Sequence, residues 1–130
     1  MSAPSVSRKE LVLEIRGKSK ISCDLKRHLS PKTVGTIMRS LPLEGNAHLL
    51  GSSILYFETS VDSGIERSRT EFKKGDVAFL PSSGSLCFFI RDVVSGKSMS
   101  LVGNLNGNLD VLKEAKSGDV LCVYEKVTSD

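Results

Sequence analysis

The chain has 130 residues, 39% hydrophobic and 25% charged, which excludes a disordered or collagen-like polymer and fits one domain around one core. Eighteen basic against fifteen acidic side chains leave a net charge of +3, too little to argue for a nucleic-acid partner. The apolar runs are short, Leu86–Ile90 among the longest, so no membrane span is expected, and the opening MSAPSVSRKE lacks the apolar stretch of a secretory leader.

Residues 1–8 read as a flexible Ser/Pro-rich tail, and 9–127 as a single domain. Leu11, Leu13 and Ile15 alternate with Val12, Glu14 and Arg16, the period of a half-buried strand. Gly17-Lys18 turns the chain into a second strand through Ile21 and Cys23. Ser30 as N-cap and Pro31 at the first helical position precede Val34, Ile37, Met38 and Leu41 on one apolar face, and Pro42 ends that helix.

Ala47–Leu50 and Ser53–Thr59 predict two strands about Gly51-Ser52, with Leu55 and Phe57 on one face and Ile54, Tyr56 and Glu58 on the other. Residues 61–70 are polar, a loop or frayed hairpin. After the turn Lys74-Gly75-Asp76 come a strand Val77–Leu80, the loop Pro81–Gly84 and the most apolar strand, Leu86–Ile90. A polar loop through Gly96 leads to a strand at Ser100-Leu101-Val102. Asn108 caps a second helix that turns Leu109 and Leu112 inward and ends near Gly118, and a last strand spans Asp119–Glu125. Seven or eight short strands with two helices describe an all-β barrel or sandwich.

Cys23, Cys87 and Cys122 are odd in number and lack CxxC spacing, so a reducing, cytoplasmic setting and a packing role are expected. Cys23 and His28 match no zinc spacing, and neither a metal nor another cofactor is expected. Cys87 as a nucleophile would need His48 as its base. Gly103 and Gly107 precede a helix start, but no Lys or Arg lies between Lys97 and Lys113 to hold a phosphate, so they read as turn glycines. Nine of the eighteen basic residues lie in positions 1–42, against three acidic ones, with no aromatic among them. That pattern is not an aromatic-and-basic nucleic-acid face.

GDVAFLPSSGSLCFFIRDV at 75–93 and SLVGNLNGNLDVLKEAKSGDV at 100–120 resemble the cyclophilin-like superfamily, with the short prokaryotic cyclophilin-like domains of unknown function the better match. The resemblance implies a closed eight-stranded barrel capped by two α-helices. It also implies an outer groove, in which cyclophilins twist X-Pro bonds with an arginine and an apolar proline pocket. On that match Phe89 takes the place of the pocket phenylalanine, Met99 falls near the pocket histidine, Cys87 replaces a glutamine, and His48 falls near a second histidine. Leu49 falls near the arginine and has no donor, and no tryptophan is available.

The expectation is therefore a binding module without catalytic residues. It would hold a peptide or small apolar ligand in a groove bordered by Leu49, Tyr56, Leu80, Pro81, Cys87, Phe89 and Met99. A weak prolyl isomerase is the alternative from the enzyme class, and homodimerisation through the same face is the structural one. Alternation sends Phe88 into the barrel and Phe89 outward with Cys87 and Arg91. Phe89 then either lines the groove or packs beneath the 92–99 segment or a second subunit.

Overall fold

The alternating residues at the start of the chain form strand β1 (Arg8–Ile15), in which Leu11, Leu13 and Ile15 are almost wholly buried. A computed structural model describes residues 8–126. The expected tail lies outside the described residues except for Arg8, whose backbone pairs with Lys26. A turn with Gly17 at φ +78° leads into β2 (Ser19–Lys26) and then α1 (Pro31–Ser40). The strands β3 (Leu43–Asn46), β4 (His48–Leu50), β5 (Ile54–Glu58), β6 (Arg69–Phe72), β7 (Asp76–Leu80) and β8 (Ser85–Phe89) follow. A long β9 (Val93–Asn106), a 3-10 helix at Leu109–Glu114 and β10 (Val120–Glu125) complete the fold.

The antiparallel sheet runs in the order β3-β10-β1-β2-β9-β7-β8-β5-β4, with β6 paired to β9 off this path. It wraps around one main core that unites Leu11 and Leu13 of β1 with Phe57 of β5, Phe88 of β8 and Val102 of β9. Ile37 of α1 and Leu112 of the 3-10 helix also belong to this core. The protein is mostly β with two helices, but the expected closed eight-stranded barrel is corrected in three respects. The strands number ten among the described residues, the second helix is a six-residue 3-10 turn, and the sheet is open. Its two end strands, β3 and β4, are consecutive pieces of one extended segment joined at Ala47, so no ladder forms between them.

Two polar segments also prove more ordered than composition implied. Arg69–Phe72 is a strand, and the loop expected through Gly96 is the first half of β9. The second half of β9 pairs with β2 and β7, while the first half pairs with β6. The β6–β9 register slips between Arg69 and Glu71, whose partners are Met99 and Val94, so residues 95–98 bulge out of the ladder.

Helix α1 begins where Pro31 sets it, and Ser30 holds the expected N-cap position, but its side chain makes no capping hydrogen bond. Its hydroxyl donates to the Leu101 carbonyl at 2.8 Å, tying the helix start to β9. The cap comes from Glu66 in the segment before β6, whose carboxylate accepts from the backbone N–H groups of Thr33 at 2.7 Å and Lys32 at 3.2 Å.

Candidate functional site

The outer face of β5, β8 and β7 builds a second apolar cluster, separate from the main core. Alternation puts Ile54 on this face of β5, Cys87 and Phe89 on that of β8, and Ala78 on that of β7. The first half of β9 and β6 lay Met99 and Phe72 over them. Phe72 stacks on Phe89 with ring centroids 4.5 Å apart, and Phe89 is fully buried. Phe88 lies in the main core, so the two phenylalanines point to opposite faces. Of the two readings open to Phe89, its surroundings are those of a side chain packed beneath its own chain.

A groove opens beside this cover, with a volume of about 390 Å³. One wall carries Leu50, Ile54, Tyr56 and Glu58, Leu80 and Ser83 close one end, and the bulge at Ser95–Lys97 with Met99 forms the other wall. Tyr56 and Leu80 are half-buried, and Glu58 and Lys97 are exposed. The Ser95 hydroxyl accepts from the Lys97 backbone N–H at 3.0 Å, which shapes the bulge.

The structure brings three of the expected residues, Tyr56, Leu80 and Met99, into this groove. Pro81 lines a neighbouring depression that shares Leu80 and Lys97. Cys87 and Phe89 lie beneath the surface as cluster residues. Leu49 faces elsewhere. It pairs with Leu55, whose side chain points into the main core, and it lines a third depression with Ile90 and Leu112. Its neighbour Leu50, paired with Ile54, takes the groove side instead. Ile54 and Glu58 were legible as members of Tyr56's face, whereas Lys97 and Ser95 enter only through the bulge.

No arginine lines the groove. Cys87 is buried, and desolvation pushes its thiol up to about 12, so no thiolate forms near neutral pH. His48 stacks on Tyr56 at 5.2 Å, and Tyr56 in turn pairs with Cys87. The His48 and Cys87 backbones therefore stand two strand spacings apart, about 10 Å, with Tyr56 on the strand between them. Among the described residues, no group of three or more His, Cys, Asp or Glu side chains is placed to hold a metal. Likewise no helix among them is long and apolar enough to cross a membrane.

Two solved structures share this architecture. The hypothetical protein AF2241 from Archaeoglobus fulgidus superimposes with a TM-score of 0.76 at 21% identity, covering 96% of this chain and 100% of that one. McbB, solved in complex with tryptophan, superimposes with a TM-score of 0.74 at 17% identity; the match covers 92% of this chain and 46% of McbB. No curated protein matches the sequence. A family model described as cyclophilin-like matches residues 9–124, and the chain belongs to the cyclophilin-like family.

Proposed function

We propose that this protein is a binding module that holds a small, partly apolar ligand in the outer groove, without chemical turnover. The observation that carries the reading is the convergence of Leu50, Ile54, Tyr56, Leu80 and Met99 around one open groove of about 390 Å³. That volume lies at the small end of the roughly 300–1,000 Å³ usual for ligand sites, which favours a small molecule or a few residues of peptide. The absence of an arginine from the lining speaks against the family's electrophilic assistance to prolyl rotation. McbB was solved with tryptophan, which makes an indole compound a reasonable first probe.

The test is a titration of the labelled protein with tryptophan and with a proline tetrapeptide, followed by amide shifts. The expected result is perturbation confined to residues 54–58, 80–83 and 95–99. Leu80→Lys, which places a charge on the apolar wall, is expected to weaken binding by about tenfold or more while circular dichroism stays unchanged. Shifts centred on another surface, or none with either probe, would overturn the reading. A protease-coupled proline-peptide assay is expected to show no acceleration at high protein concentration.

A further inference from the structure

The groove holds two opposite charges that nothing else uses. Glu58 stands on the β5 wall and Lys97 on the β9 bulge, both lining the same space. Neither carboxylate nor ammonium forms an ion pair or side-chain hydrogen bond with any described residue. Ion pairs do form at other places on the surface, as Lys9 with Glu125 at 2.9 Å and Lys18 with Asp119 at 2.7 Å. In the groove Glu58 and Lys97 share a lining with the apolar Ile54, Leu80 and Met99.

We infer that the ligand is a zwitterion with an apolar side chain, a free α-amino acid, whose ammonium meets Glu58 and whose carboxylate meets Lys97. The inference rests on the proposed groove and deepens it. Complementarity of charge across the space specifies both ends of the ligand at once. The small volume leaves room for one apolar side chain against Leu80 and Met99. Lys97 is mounted on a bulge beside Gly96, and bulges commonly re-aim a side chain at a site.

The chain contains no tryptophan, so indole emission from an added ligand, excited beyond the tyrosine band, reports binding without a protein indole background. The probes are L-tryptophan, N-acetyl-L-tryptophan, L-tryptophan amide and N-acetyl-L-tryptophanamide, which carry both charges, one of each sign, or neither. L-Tryptophan is expected to bind about fivefold more tightly than either singly charged probe, the span of one exposed ion pair, and the neutral probe more weakly still. Glu58→Gln should erase the preference for tryptophan over its N-acetyl derivative, and Lys97→Gln the preference over its amide. Equal affinity for all four probes would overturn the zwitterion while leaving the apolar groove standing. Preferences that survive both substitutions would also overturn it. No binding by any probe would overturn the inference and the groove together.

Discussion

A Cβ atom at Gly103 would sit 1.9 Å from the Asp24 carbonyl oxygen and 3.1 Å from the Leu25 Cα. Both neighbours are backbone, so no side chain can swing away. Gly103 pairs with Leu25 across the β2–β9 ladder and with Val77 across the β7–β9 ladder, beside an irregularity between Val77 and Ala78. The position needs glycine for close approach rather than for an unusual φ. Gly103→Ala is expected to cost at least about 3 kcal/mol, the upper end of overpacking penalties, read as a fall in the urea midpoint. A cost below about 1 kcal/mol would show that the two strands can part without loss. Read from sequence alone, Gly103 is a turn glycine, because a single letter does not reveal which strand will press against it. Phe89 carries the same lesson. Its face followed from alternation with Phe88, but its burial depends on Phe72 and Met99, which come from segments of polar character. Truncating Phe89 would therefore test packing and not binding.

At the scale of elements, the start of α1 was legible and its cap was not. Pro31 and the spacing of Val34 and Ile37 mark the helix locally. Glu66, however, reaches it from more than thirty residues away, and no short motif encodes that. Burial alone would raise the Glu66 carboxyl, but the hydrogen bonds from Thr33, followed by the backbone hydrogen bond and the charge of Lys32, hold it below its ordinary value. The sign of the linkage follows. The unfolded chain takes up its proton near the ordinary value of about 4.3, and the folded protein only at lower pH. Between those values the unfolded state holds more protons, so stability rises with pH. The contribution is complete above the unfolded value and is lost as pH falls through the folded one. Glu66→Gln is expected to cost about 1 kcal/mol at pH 7, as for the loss of a helix cap. It should also flatten the part of the acid stability profile that Glu66 supplies. An unchanged profile would assign the slope to other carboxylates. The bulge at 95–98 is the other feature hidden at this scale, because register slips leave no trace in composition.

The whole molecule consists of two layers of unequal support. Strand β1 is paired on both sides, with β10 and β2, and its inward side chains lie in the main core. The first half of β9 and β6 pair with each other in a ladder apart from the main sheet, and their apolar side chains pack on the smaller second cluster. The all-β character and most strand positions were readable from alternation. Whether the sheet closes was not, because β3 and β4 occupy its two ends while running on from one another through Ala47. The same arrangement sets an order of opening. Releasing residues 69–72 and 93–99 exposes Phe72, Phe89 and Met99 but leaves the main core intact. Releasing β1 dismantles that core. Native-state hydrogen exchange is therefore expected to show Leu13 and Val123 exchanging only through global unfolding, with the β6 and early β9 amides exchanging through a smaller, earlier opening. The groove wall that carries Lys97 belongs to the layer that opens first. A ligand in the groove should accordingly slow exchange at 93–99 more than at β1, since binding stabilises the states that retain the site. Equal protection of Leu13 and the 93–99 amides in the free protein would mean that both layers unfold as one unit, and the wall would then be as rigid as the sheet beneath it.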